Sequence, residues 1–521
     1  MFFLQNICLF FYKEKNMKKI YTSLLFLFPI ALHAECELSQ NSNGEYLISS
    51  YSDFTKMARE DCPNDATYRL TQDISGKGEA NFEPISSFSG KLHGNAHVIS
   101  DVKISAGTYN VVGIFKDLSG TIDSIGFDKF EVSGGRYTGL IAGMSTPTIS
   151  HVFITNSTIR GENMVGGFVG QNSGKIQDSY IDNSTVQAYY EFGGITGQNN
   201  GTIERTYAIN DYQPEASNYK NFGGITGINE GTITASYASF YSIKSPKSIA
   251  DSTTRYSKID NLSKLIDRNK YDTTEFKQSA SQLWDFKDKW IMVQNHTRPM
   301  LRMFMKEIKI YPMPNSMTYN GKPYNNYAVL ITPDNYDNSI IRGSFGFDGP
   351  AYTAVNVGEY DLQVTTDNMY SNQRGYYFTG GSTTVSIKPK ALTVSGITAN
   401  DKKYDSTTTA TLSGTPVLDG LVEGDTLSLT GEAVAEFENA EPGKSKKVII
   451  SGLEIEGDSL TLANYTFSLP ELKASIEDEK IDAIFKAPRT RVQKPNGTAY
   501  DIRGAVVPKR KQNFLRTFQK R

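Results

Sequence analysis

Residues 222–237 read FGGITGINEGTITASY, and two earlier stretches say nearly the same thing: FGGITGQNNGTIERTY at 192–207 and VGGFVGQNSGKIQDSY at 165–180. A phosphate-cradling loop or a nucleophile is needed once, so three copies mark a building element. Working outward, Gly113, Gly139, Gly167, Gly194 and Gly224 head successive units at spacings of 26, 28, 27 and 30 residues. Each unit then carries a short apolar stretch, a polar turn and a second strand centred on Ile122, Ile149, Ile176, Ile203 or Ile233. A unit of this size cannot bury its own apolar face and must stack on a neighbour. The spacing therefore predicts a right-handed parallel β-helix. Its isoleucines fall in one inward column, and Tyr180, Tyr207 and Tyr237 form another. Asn172, Asn199 and Asn229 sit at turns where side-chain amides bond to the next coil. The glycines serve corners, through positive φ or close backbone approach.

Composition agrees with a strand-rich chain. In 521 residues there are 44 Gly and 30 Tyr but only 2 Trp, and 21% are charged with a formal net charge of −2. That balance gives no electrostatic reason to expect nucleic acid or a membrane surface as partner. Met17-Lys18-Lys19 followed by IYTSLLFLFPIAL at 20–32 reads as an export signal, cleaved after Ala34, with Met17 a possible true start. Export leaves Cys36 and Cys62, an even pair expected to form one disulfide. Membrane involvement is expected only through export or an anchoring route the sequence does not name. No two-partner secretion domain, C-terminal barrel or sortase motif is legible.

Composition shifts divide the rest. The expected organisation is a signal at 1–34, the repeat solenoid at 35–304, two strand-rich segments at 305–388 and 389–477, and a basic disordered tail at 478–521. Residues 241–280 interrupt the repeat. The apolar stretch LWDFKDKWIMVQNHTRPMLRMF after them is expected to cap the last coil, because an open solenoid end needs covering. The first of these segments carries turn signals at Asn320-Gly321 and Gly380-Gly381, and each of the two has the length of a small Ig-like β-sandwich.

The repeat resembles the GLUG motif of large exported bacterial proteins, among them filamentous-haemagglutinin-like adhesins and a class of immunoglobulin-A-cleaving metallopeptidases. Residues 306–388 resemble the MBG module through TYNGKPY and VGEYDLQV, and 389–477 resemble the YDG module through KKYDSTTTATL and ANYTFSL. Ser406 stands where that module usually has Gly. The combination implies a secreted or surface-exposed adhesin-like protein that binds an extracellular glycan or protein ligand, with no cofactor.

Enzymatic readings find little support in the motifs. A zinc peptidase needs two His one helical turn apart beside a Glu, but none of His93, His97, His151 and His296 is followed by Glu. GGITG lacks the strand-to-helix context and the GK[ST] of a nucleotide loop. The remaining enzyme alternative is a polysaccharide-cleaving β-helix, for which Asp123, Asp178 and Glu204 are read as equivalent positions lining one face. A purely structural spacer is the third alternative.

Overall fold

Ile122, Ile149, Ile176, Ile203 and Ile233 stand directly in register on successive parallel strands, and each is at most 1% exposed. A computed structural model describes residues 36–107, 110–212, 221–243, 257–259, 266 and 284–478. The stretch expected to be an export signal, and the expected basic tail from residue 479 on, lie outside the described residues. The column continues downward through Leu92, Tyr68 and Tyr46, so the coiling starts before the first recognisable repeat. Three parallel sheets form the walls. One is a long sheet that bends around the coil; the others have five and six strands. The protein is a parallel β-solenoid followed by further β-sheet modules.

One coil shows how the sequence makes the turn. Val165–Gly166 and Val169–Asn172 supply the two smaller walls, and Lys175–Gln187 runs around the long one. Within that last strand Asp178 (φ 46) and Asn183 (φ 49) are left-handed, and each bends the strand. The first of these corners repeats on every coil as Ser124, His151, Asp178, Arg205 and Ala235, all with φ between 46 and 56. The glycines have a different task. A Cβ on Gly113, Gly139, Gly166 or Gly193 would come within 2.4–2.6 Å of the Cα of Ala142, Val169, Thr196 or Thr226 on the next coil. Close approach, not positive φ, demands glycine here.

The register also corrects the glycine series. Thr138 pairs with Val165, so Gly139 is level with Gly166, and Gly166 pairs with Gly193 and Gly193 with Gly223. Gly167, Gly194 and Gly224 lie one residue further along each coil. The doubled glycines of the later copies offered two registers, and the spacing took the second. Asn172, Asn199 and Asn229 do stack, each amide donating to the next carbonyl oxygen at 2.8 Å. At the start of the chain Cys36 and Cys62 are joined by a disulfide, beside the short helix Tyr51–Lys56 capped by Ser50.

Contacts divide the chain into two units. One holds the solenoid up to Ile308 together with residues 335–345 and 366–378; the other holds 309–334, 346–365 and the chain from 379 on. The stretches 335–345 and 366–378, expected within the first sandwich, thus pack with the solenoid's unit. In the second unit, a four-stranded sheet includes Gly358–Thr365 and Ser382–Lys388. The following module has a three-stranded and a five-stranded sheet. Asp425 accepts hydrogen bonds from Tyr319 (2.9 Å) and Tyr465 (2.6 Å) across these two modules. Buried Asn464 binds Val357 N and Asn356 beside them.

Candidate functional site

Alternation along the strand decides which side chains leave the core. In the stretch after the Asp178 corner, Ile181 points into the solenoid, while Tyr180 and Asp182 point outward. Phe153, Tyr180, Tyr207 and Tyr237 are aligned on this outer face. The Tyr180 and Tyr207 rings stack at 4.7 Å and 7°, and those of Phe153 and Tyr180 at 5.7 Å and 16°. All four are nevertheless at most 2% exposed. What hides them is the segment from Trp284 to Phe304. It was expected over the end of the last coil and instead lies along the side of several coils.

The attachment is specific. Trp284 and Trp290 pack on Tyr237, Tyr207 and Tyr180, and Phe304 meets Phe153 edge-on at 4.8 Å. Tyr207 donates its hydroxyl to Pro299 O (2.8 Å) and Trp284 its indole N–H to Ala235 O (3.0 Å). Tyr180 donates to Gln373 Oε1 (2.9 Å), and Gln373 also binds both main-chain groups of Leu301. Burial pushes the Tyr180 phenol well above its ordinary range, so it remains a donor. Arg298 grips Asp182 with Nε at 3.0 Å and Nη2 at 2.5 Å.

Beneath the segment lies a buried ion cluster. Asp178 is 0% exposed and takes Arg205 Nε at 2.7 Å, Arg205 Nη2 at 3.0 Å and Lys289 Nζ at 3.0 Å. Burial alone would raise its pKa, but the hydrogen bonds and charges of Arg205 and Lys289 outweigh that and hold it below the ordinary carboxylate value. Asp178 is therefore not level with Asp123 and Glu204, as the sequence reading had it. Those two belong to the adjacent column with Ser150 and Gln177. Asp123 pairs with His93 and Lys91, and Glu204 with Lys175 and Arg205. His97 Nδ1 lies 3.4 Å from Asp73.

Where the covering segment leaves the wall, a groove of about 510 Å³ opens. On the solenoid side it presents Asp128, Thr155 and Asp182, which succeed one another on neighbouring coils. Beside them runs a ladder in which Asn183 donates to Asn156 (2.6 Å) and Asn156 to Asp128 (2.6 Å). Facing them are Arg298, Asn372, Arg374, and His296 stacked on Tyr370 at 4.9 Å. Phe153, Tyr180 and Tyr207 form the base. The accessible lining combines the His296–Tyr370 stack with amides, hydroxyls and carboxylates, the groups that bind polyhydroxylated molecules. Sequence reasoning missed it because half of it arrives from residues 296–298 and 370–374. The visible clue was the outward Tyr180–Asp182 pair, with asparagines 27 residues apart at 156 and 183. Among the described residues no group of three or more His, Cys, Asp or Glu is gathered for a metal ion, and no helix is long and apolar enough to cross a membrane.

Comparison with known proteins bears on parts of the chain. Residues 388–473 match the YDG domain. The chain is similar to halomucin of Haloquadratum walsbyi, with 30% identity over 135 residues, covering 23% of this chain and 2% of halomucin. The chain thus spans a small fraction of that relative's length. Among solved structures it is similar to a candidate immunoglobulin A1 protease from Bacteroides ovatus, with 15% identity and a TM-score of 0.35, over 51% of this chain and 94% of the other.

Proposed function

We propose that this is an exported bacterial surface protein whose solenoid binds an extracellular glycan in the groove bounded by Asp128, Asp182, Arg298 and Tyr370. The adhesin-like reading draws on the likeness of the repeats to GLUG arrays and of residues 306–388 to the MBG module. In this reading the MBG-like segment and the YDG module serve as an Ig-like stalk, and the solenoid is the binding part. The observation that carries the proposal is the Asp128–Asn156–Asn183 ladder facing the His296–Tyr370 stack across a groove of about 510 Å³. Sugars present an apolar ring face and a rim of hydroxyls, which suit an aromatic plane flanked by amides and carboxylates.

The test is a glycan and extracellular-matrix array probed with the mature chain, run beside Tyr370→Ala and Asn183→Ala. Wild-type binding that falls at least tenfold in both variants supports the reading. Wild-type binding that neither substitution weakens overturns the groove as its site.

A second reading, cleavage of the bound polysaccharide, is favoured by one feature. Asp128 and Asp182 occupy the same groove two rungs apart, about 9.6 Å along the wall at about 4.8 Å per rung. That backbone spacing lies just beyond the about 6.5–9.5 Å by which inverting glycosidases separate their two carboxyls. Release of new reducing ends by wild type, abolished by Asp128→Asn, would replace binding with turnover.

A further inference from the structure

Against the covering segment lies a second cavity, of about 310 Å³, richer in methionine than the groove. Its walls include Met292, Met300, Met305 and Met369, with Phe286 and Phe378. Four of the chain's 12 methionines gather here. Thioether side chains adapt their shape to whatever apolar body they meet and serve repeatedly at adaptable binding surfaces. A cavity of this volume has room for roughly ten heavy atoms at about 30 Å³ each.

Beside this apolar wall the lining also carries Gln294, Thr366, Asp367, Ser371 and Tyr376, and Arg302 is its one cation. Arg302 has its guanidinium 4.6 Å over the Tyr377 ring and donates one Nη–H to Phe286 O at 3.3 Å. Its Nε is buried and meets no acceptor. Among the described residues no carboxylate forms an ion pair with it, whereas Arg59, Arg69, Arg205, Arg298 and Arg374 each have one. A half-buried cation with a buried idle Nε–H beside an apolar wall is costly unless an acceptor completes it. We infer that this cavity is a binding site for a small anionic amphiphile, an unbranched carboxylate of about eight carbons. The apolar tail lies among the methionines and the carboxylate accepts from Arg302.

Trp284 and Trp290, the chain's only tryptophans, lie in the same segment, and the Trp284 ring is 6.4 Å from that of Phe286. Intrinsic fluorescence therefore reports entry into the cavity. The experiment titrates the intact chain with octanoate and, separately, with uncharged 1-octanol, by fluorescence and calorimetry. Octanoate is expected to bind at least tenfold more tightly. That preference should fall below twofold in Arg302→Gln and persist in Arg302→Lys, which keeps the charge. Met369→Trp, which fills the cavity, should weaken both ligands at least tenfold. Equal affinity of wild type for the two ligands, or no binding of octanoate at millimolar concentration, overturns the assignment. So does a preference that survives Arg302→Gln. The wild-type comparison decides even where the glutamine variant fails to fold.

Discussion

Asp178 and Arg205 occupy the same left-handed corner on successive coils and are joined there by two hydrogen bonds, Nε–Oδ1 at 2.7 Å and Nη2–Oδ2 at 3.0 Å. A corner that strains an ordinary side chain has thus been given a pair that also neutralises itself. Lys289, from the covering segment, adds a third contact at 3.0 Å. One buried carboxylate thus serves both a corner of the solenoid and the attachment of its cover.

Removing that carboxylate is expected to cost far more than removing a surface charge. Asparagine tolerates the left-handed corner, so Asp178→Asn isolates the charge from the backbone. It leaves Arg205 and Lys289 without their shared anion, and breaking a buried pair costs about 3–5 kcal/mol. Urea unfolding should show that loss. The exposed pair Lys103–Glu131, 3.9 Å apart, serves as control, with Glu131→Gln changing stability by under about 1 kcal/mol.

Acid should weaken the fold in two stages. Burial lowers the pKa of half-buried His151, so the unfolded chain takes up its proton first, from about pH 6.5 downward. The carboxylates of Asp178, Glu45 and Asp405 are also depressed, the last two to about 2, through hydrogen bonds from Arg69 to Glu45 and from Lys402 to Asp405. Groups of this kind stabilise above their unfolded pKa and lose that contribution as pH falls through the folded value. Denaturation midpoints should therefore be flat above about pH 7, decline gently towards pH 5 and drop steeply below pH 4. His151→Gln should flatten the first stage and leave the second; an unchanged first stage would show that another group drives it.

Glycine at the coil contact admits no replacement. A Cβ on Gly193 would sit 2.4 Å from both Thr196 O and Thr226 Cα, and backbone atoms cannot yield as a flexible side chain does. Gly193→Ala should destabilise by at least about 3 kcal/mol, whereas Gly107→Leu, with φ +58 and open space around it, should cost about 1–2 kcal/mol from left-handed strain. Thermal melts of the two variants beside wild type separate contact from conformation.

These contrasts show which features were legible before the structure. The isoleucine column could be read because lone apolar residues recur in polar surroundings at nearly constant spacing, and stacking is the one way to bury them. The tyrosine column could be read too, but its cover could not. Nothing local says that Trp290 will travel back to lie against Tyr180 and Tyr207. The corner series Ser124, His151, Asp178, Arg205 and Ala235 shares no residue type, so it leaves no trace in a motif. The groove draws Asp128 and Asp182 to Arg298 and Tyr370 across more than a hundred residues of chain, which only the fold can do.

The covering segment's hold on the wall can be measured at one tyrosine. Tyr207→Phe removes only the donor to Pro299 O and should cost about 1–2 kcal/mol, because the carbonyl stays buried without its partner. Tyr207→Ala also removes a ring stacked on Tyr180 and touching both tryptophans, for a total of about 3–5 kcal/mol. The alanine variant should shift tryptophan emission to the red, as the indoles gain water, while the phenylalanine variant keeps the wild-type spectrum.

In the YDG module, Ser406 adopts φ +65, the conformation for which glycine is the usual choice. Its neighbours are tightly held. Lys402 Nζ contacts Asp405 Oδ1 at 2.8 Å, Thr407 O at 2.7 Å and Thr409 O at 2.9 Å, and Thr407 N donates to Asp405 Oδ1 at 2.9 Å. The turn cannot relax to relieve the serine. A left-handed L-residue costs about 1–2 kcal/mol, and glycine's extra freedom in the unfolded chain takes back about 0.5–1 kcal/mol. Ser406→Gly should therefore stabilise by up to about 1 kcal/mol, read as a higher midpoint in urea at unchanged slope. Ser406→Val, branched at Cβ, should destabilise. If glycine lowered the midpoint, the serine hydroxyl would have to be contributing more than the strain it imposes.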